Sequence, residues 1–106
     1  MSARFWQHLR GDVVQFEHPE WRPLTALLGE HLAERFMWMH EIRLADGTAV
    51  HAYKHVHTRR YLHLAFDTRA FAYLGDAYLR IETWYAVMRV VPQHEWPARS
   101  TSAAPC

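Results

Sequence analysis

The chain has 106 residues, of which 50% are hydrophobic and 14% are aromatic. This composition argues against intrinsic disorder and predicts one domain of ordinary size. The formal net charge of +1 gives no strong attraction of the whole molecule to nucleic acid or to a membrane surface.

The single cysteine and the absence of a long apolar run narrow the class of protein further. Because the only cysteine is Cys106, an intramolecular disulfide and a cysteine-based zinc site are both excluded. Residues 1–10 lack the apolar run of a signal peptide, and no segment approaches the roughly 20 apolar residues of a membrane span. We therefore expect a cytoplasmic protein with no membrane partner.

The first third of the chain predicts one amphipathic helix. Residues 2–9 are compatible with a short helix ending at Gly11, and residues 13–16 with an extended segment. A longer helix is predicted over residues 20–34, with Gly29 interrupting it at a cost of about 1 kcal/mol relative to alanine. Its apolar stripe consists of Leu24, Leu27, Leu28 and Leu32.

The middle of the chain predicts antiparallel strands joined by tight turns. Residues 36–44 alternate, and Asp46-Gly47 is a strong hairpin signal directly after them. One side of this strand is expected to carry Phe36, Trp38, His40, Ile42 and Leu44. Further strands are predicted over residues 51–57, 61–66, 70–73 and 78–82, with turns at 58–60, 67–69 and 75–76.

Residues 83–91 match two patterns. Trp84, Val87, Met88 and Val91 have helical spacing, although these residue types favour strands. We choose a short helix with Thr83 as its N-cap and keep a strand as the alternative. The predicted fold is a single α+β domain over residues 1–96, followed by a disordered tail over residues 97–106. Its antiparallel meander sheet of four to five strands packs against the N-terminal-half helix, with a short C-terminal helix.

Histidines, tyrosines and cations are concentrated in the central hairpin. Because side chains alternate along a strand, we expect the odd-numbered residues of both hairpin strands to form one polar face, with the even-numbered residues towards the core. The predicted face carries His51, Tyr53, His55, His57, Tyr61 and His63, with Lys54, Arg59 and Arg60 close to it. Protonation of four imidazoles on one face would make binding there sensitive to pH between about 5 and 7.

One hypothesis for this hairpin is a divalent metal site. His55 and His57 are spaced to approach one ion, and His51 or, as we prefer, His63 would supply a third ligand across the hairpin. His55-Val56-His57 also resembles the His-hydrophobic-His strand motif of the HUH endonucleases, over three residues. That resemblance implies a metal held by the two histidines and cleavage of single-stranded DNA by a tyrosine nucleophile, for which Tyr85 is the matching residue.

A second hypothesis is nucleic-acid binding. Lys54, Arg59 and Arg60 would contact phosphates, while Tyr53, Tyr61 and the histidines would stack on bases. The near-neutral net charge and the lack of a glycine–aromatic RNA-binding motif count against it.

The hypothesis that we prefer is a small non-enzymatic binding or regulatory module, such as an inhibitor, adaptor or accessory subunit. The chain is rich in Trp, Tyr and Met and has one lysine, a composition typical of protein interfaces. The partner is a protein or a second copy of the chain, and no cofactor is expected unless the metal hypothesis holds. The predicted partner-binding residues are Tyr53, His55, His57, Arg59, Arg60, Tyr61 and His63.

Overall fold

The computed structural model describes residues 8–14, 18–75 and 77–96, which form six strands and two α-helices. In chain order these elements are β1 (His8–Val14), α1 (Arg22–Ala33), β2 (Phe36–Leu44), β3 (Ala49–His55), β4 (Tyr61–Ala65), β5 (Ala70–Tyr73), β6 (Ala77–Ile81) and α2 (Thr83–Val90). A single turn of 3-10 helix, Gln93–Glu95, follows α2. The α+β class and the antiparallel sheet are confirmed. The predicted tail lies outside the described residues.

The strands close into a barrel in the order β1-β2-β3-β4-β5-β6. Each strand pairs antiparallel with the next, and β1 also pairs with β6, so that His8 lies opposite Leu79. The prediction of an open meander of four to five strands was therefore wrong in strand number and in closure. The strand that the prediction lacked is β1. The short helix predicted over residues 2–9 lies largely outside the described residues, and its last two residues belong to β1.

Gly11 allows β1 to pass close to the barrel interior. A Cβ atom at this position would lie 2.6 Å from Cγ2 of Ile42, 2.8 Å from Cε1 of Tyr78 and 3.0 Å from Cδ2 of Leu44. Only glycine avoids these clashes without movement of its neighbours. The absence of a side chain therefore lets β1 complete the barrel.

A β-bulge in β2 exchanges the two faces of that strand. Trp38 lies opposite Tyr53, whereas His40 lies opposite Ala52, so the register shifts at Met39. An extra residue reverses the alternation beyond it. Phe36 and Trp38 consequently face the helices while His40 faces the interior, and the single side predicted for β2 was wrong.

Two apolar cores lie on opposite faces of the barrel wall. The interior core contains Ile42, Leu44, Val50, Ala52, Ala65, Phe71 and Tyr78. The outer core, between the sheet and the two helices, contains Leu24, Ala33, Phe36, Tyr53, Leu62, Leu64, Ala70, Ala86, Val87, Val90 and Val91. Strands β3 and β4 contribute to both cores, which explains why so few of their side chains reach solvent.

Both helices form where the sequence predicts them. Gly29 has φ 86° and ψ 162°, a conformation outside the helical region that divides α1 at a kink. Glu82, rather than the predicted Thr83, caps α2, since its carboxylate accepts the amide hydrogens of Trp84 and Tyr85. Thr83 instead donates its hydroxyl to the carbonyl of Thr68. Neither described helix is long and apolar enough to cross a membrane.

Candidate functional site

The predicted histidine face is divided between two opposite faces of the sheet. In the β3–β4 ladder Tyr53 lies opposite Leu62, and Ala52 lies opposite His63. Because opposed residues project to the same face, odd-numbered residues of β3 share a face with even-numbered residues of β4. The expectation of one polar face was wrong, because Tyr61 and His63 lie on the opposite face from His51, Tyr53 and His55.

His51 and Tyr53 lie on the helix-covered face and form hydrogen bonds within the fold. His51 is 2% exposed, and its Nδ1 accepts a hydrogen bond from the indole Nε1 of Trp38 at 3.1 Å. Tyr53 is completely buried, and its hydroxyl donates to the backbone carbonyl of Glu20. Burial raises the pKa of the Tyr53 phenol, so it remains a hydrogen-bond donor. These contacts give both residues a structural role.

His55 is also completely buried and uses both ring nitrogens. Its Nε2 lies 2.7 Å from Oε1 of Glu95, and its Nδ1 accepts the amide hydrogens of His57 and Thr58 at 3.1 and 3.2 Å. Since Nδ1 accepts two N–H groups, the pattern assigns a proton to Nε2. A metal ion at His55 would have to break one of these contacts.

Of the three histidines proposed as metal ligands, the structure brings His55 and His57 close, with ring centroids 5.8 Å apart, but separates His63 from both. His57 is exposed in the turn after β3, and His63 is on the opposite sheet face from His55. Within residues 8–14, 18–75 and 77–96, no three His, Cys, Asp or Glu side chains are grouped to hold a metal ion. The geometry departs from the HUH-like arrangement at the histidines, because β3 ends at His55 and His57 lies in the turn beyond the strand. Tyr85 is on α2, as that resemblance implies, and its side chain is exposed.

The hairpin tip, which we define as residues 56–60, remains exposed at His57, Arg59 and Arg60. The tip is attached to the end of α2 by two hydrogen bonds. The Thr58 hydroxyl donates to the carbonyl of Val90, and Nη1 of Arg60 donates to the carbonyl of Arg89, both at 2.8 Å. The tip is therefore an ordered cationic projection.

Tyr61 and His63 line a cavity at one end of the barrel, where β1 and β5 end and β4 and β6 begin. We call it the barrel-mouth cavity. Its volume is about 400 Å³. The lining residues are Val13, His40, Tyr61, His63, Tyr73 and Tyr78.

The aromatic rings of the barrel-mouth cavity form a continuous wall. Tyr61 stacks on His63 with ring centroids 5.8 Å apart and planes inclined by 15°. The edge of one ring meets the face of the other between His63 and Tyr78, whose centroids are 5.4 Å apart. Tyr73 continues the wall at 5.0 Å from Tyr78, and His40 lies 6.4 Å from Tyr61. Such a wall favours planar, weakly polar ligands.

The polar side-chain atoms of this wall have no hydrogen-bond partners in the described part of the fold. No side-chain hydrogen bond joins His40, Tyr61, His63, Tyr73 or Tyr78 to the residues that the structure describes. Over the same residues, no fully inaccessible side-chain nitrogen or oxygen lacks a partner. The ring nitrogens of His63, a residue only 6% exposed, therefore open into the cavity. The wall therefore presents hydrogen-bonding groups that a molecule in the cavity can reach.

The cavity is electrically neutral at physiological pH. Burial lowers the pKa of His63 to about 4, with a smaller contribution from the neighbouring His40, and burial also lowers the pKa of His40. Burial raises the pKa of the Tyr78 phenol. Each imidazole consequently offers one donor and one acceptor, and each phenol offers a hydroxyl. The predicted pH sensitivity of binding assumed four imidazoles on one face of the hairpin. Because His51 and His55 lie on the helix-covered face and His63 on the interior face, that assumption does not hold.

Sequence reasoning identified Tyr61 and His63 but missed the other cavity residues. His40 was hidden by the bulge, which moves it from the predicted side of β2 to the interior. Tyr73 and Tyr78 lie directly opposite each other in the β5–β6 ladder, on either side of the predicted reversal at Gly75. Two tyrosines placed symmetrically about a predicted turn were the signal in the sequence that could have identified these cavity residues.

Comparison with known proteins gives no match: no protein family, no curated protein and no solved structure resembles this chain significantly. Functional inference therefore depends on the geometry of the site.

Proposed function

We propose that the protein is a small binding or regulatory module that takes a small molecule into the barrel-mouth cavity. The observation that carries this proposal is the convergence on one mostly aromatic cavity of five polar side chains that form no side-chain hydrogen bond within residues 8–14, 18–75 and 77–96: His40, Tyr61, His63, Tyr73 and Tyr78. The mouths of β-barrels are common ligand sites, and a few aimed polar groups in an apolar lining are their usual composition.

The chemistry of the wall restricts the ligand. A neutral imidazole at His63 and the Tyr78 hydroxyl provide both donors and acceptors without a buried charge. A planar molecule of one or two rings with a hydrogen-bonding edge satisfies both the rings and these polar atoms. An aliphatic chain would leave His63 unpaired, which costs about 1–3 kcal/mol.

A fragment screen followed by amide NMR spectra tests this proposal. Planar heteroaromatic fragments should shift the resonances of residues 61–63 and 72–79, and the variants His63→Leu and Tyr78→Phe should bind more weakly. Tyr85→Phe is the matched control, because Tyr85 is an exposed tyrosine on α2 outside the cavity lining. Equal binding by all three variants, or shifts confined to other surfaces, would refute a ligand site here.

A second candidate is a macromolecular partner at the hairpin tip, where His57, Arg59 and Arg60 remain exposed. It keeps the sequence-based proposal of a protein partner, a homodimer or a nucleic acid, but restricts it to the tip. Arg59→Ala should then reduce the amount of partner recovered by crosslinking and mass spectrometry, whereas His63→Leu should not. The cytoplasmic location expected from the lone cysteine remains part of this proposal.

A further inference from the structure

The barrel wall opens between β4 and β5. The register joins only His63 to Phe71 and Leu64 to Ala70, so Tyr61 and Leu62 have no β5 partner among the described residues. The two strands therefore diverge towards the barrel mouth, leaving an opening beneath α2. We call this opening the β4–β5 slot.

The β4–β5 slot is a second cavity, of about 390 Å³, that adjoins the first. Three residues line both: Tyr61, His63 and Tyr73. The other lining residues of the slot are Arg60, Phe71, Ala72, Ile81, Ala86, Arg89 and Val90. A ligand that contacts His63 therefore borders both the barrel-mouth cavity and the β4–β5 slot.

The β4–β5 slot is cationic, in contrast to the neutral barrel-mouth cavity. Arg60 and Arg89 both line it, and neither lining includes a carboxylate. The hydrogen bond from Nη1 of Arg60 to the Arg89 carbonyl fixes the guanidinium against the end of α2, beside the slot. Within the described part of the chain, neither arginine forms an ion pair. The other guanidinium N–H groups of Arg60 make no hydrogen bond to the described residues, so they can bind an anion.

We infer that the ligand is an aromatic carboxylate, with its ring against Tyr61 and His63 and its carboxylate in the β4–β5 slot at Arg60. This inference rests on the proposed function. The planar guanidinium binds a carboxylate through two parallel hydrogen bonds, a geometry that also orients the attached ring. The ammonium of Lys54, 5.8 Å from the centroid of the Tyr61 ring, adds positive charge near the mouth.

Three matched probes test the class of ligand by titration calorimetry with the full chain. The probes are 2-naphthoate, its neutral counterpart 2-naphthamide, and the non-aromatic anion cyclohexanecarboxylate. Naphthoate should bind about tenfold more tightly than either other probe, as expected when one charge-assisted contact or one aromatic contact is lost. Arg60→Gln should reduce naphthoate affinity to the level of naphthamide and leave naphthamide unchanged.

Two further variants distinguish the slot from general positive charge. Arg89→Gln, at the other cation of the slot, should also weaken naphthoate binding. Arg59→Gln removes an equal charge from the neighbouring position, which lines neither cavity, and should have no effect. These side chains are exposed, so the fold should survive, as thermal unfolding would verify.

The outcomes separate this inference from the proposed function. Equal affinity for naphthoate and naphthamide, or unchanged naphthoate binding in Arg60→Gln, would overturn the carboxylate while leaving the ligand site in place. If none of the probes binds and no planar fragment shifts the cavity resonances, the proposed function fails together with this inference.

Discussion

Nε2 of His55 lies 2.7 Å from Oε1 of Glu95, and this contact joins the end of β3 to the 3-10 turn after α2. The carboxylate also has Arg35 at 3.8 Å. Burial alone would raise the pKa of Glu95, but the hydrogen bond with His55 and the positive charge of Arg35 lower it. The contact therefore fixes the C-terminal part of the chain, and its imidazole is not available to a ligand.

Removal of this carboxylate should destabilise the fold. Glu95→Ala leaves Nε2 of His55 buried without a partner, which costs about 1–3 kcal/mol of unfolding free energy. Urea denaturation measures this loss. Glu30→Ala, at an exposed glutamate of α1, is the control and should change stability by less than about 0.5 kcal/mol. Equal stability of the two variants would contradict a structural role for the contact.

The two buried histidines His55 and His63 should respond oppositely to replacement by leucine. His55→Leu breaks the contact with Glu95 and should lower the unfolding free energy by about 2–3 kcal/mol. His63→Leu removes an imidazole without a partner in the described fold, so stability should be unchanged or up to about 1 kcal/mol higher. Denaturation of both variants at neutral pH decides this, and a large loss in His63→Leu would show that this histidine is structural.

Acidification should reveal His63 through its effect on stability. Its folded-state pKa of about 4 lies below the ordinary value of 6.5, so the unfolded chain binds the proton first as the pH falls. His63 therefore leaves the unfolding free energy unchanged above pH 6.5. As the pH falls from 6.5 to about 4, the unfolding free energy decreases by about 3 kcal/mol in total.

The comparison with His63→Leu isolates this effect, because His40 and His51 also have lowered pKa values and act in the same direction. The stability advantage of His63→Leu over the natural chain should grow as the pH falls through that range. Denaturation curves at a series of pH values measure it, and a constant difference would mean that His63 titrates normally in the folded protein.

The positions of the helices and of most strands could be predicted because their signals are local. The leucine spacing of α1 and the Asp46-Gly47 turn are each contained in a few neighbouring residues. Which side chains share a face of the sheet could not be predicted, because this depends on the register between neighbouring strands. The odd–even pairing of Tyr53 with Leu62 separates Tyr61 and His63 from the β3 residues of the predicted face. The bulge at Met39 similarly moves His40 into the cavity.

Closure of the barrel was the other feature beyond local reasoning. Leu9, Gly11 and Val13 do alternate with Arg10 and Asp12, which is a strand signal. The pairing of β1 with β6, however, joins segments from opposite ends of the described chain. Without that closure the tyrosines of β5 and β6 have no cavity to line, so the site was only partly predictable.

Gly11 links barrel closure to the cavity, and Gly11→Ala should disturb both. The new methyl group would lie 2.6 Å from Cγ2 of Ile42 and 2.8 Å from the ring of Tyr78, neither of which is the end of a flexible chain. Such overpacking costs about 1–3 kcal/mol of unfolding free energy. Because Tyr78 lines the barrel-mouth cavity, its displacement should also weaken binding of a planar fragment.

Asp12→Ala, at the exposed neighbouring position of β1, is the control and should change neither property. Urea denaturation and fragment titration of both variants measure these effects, and normal stability of Gly11→Ala would show that β1 does not pack against Ile42 and Tyr78 as described.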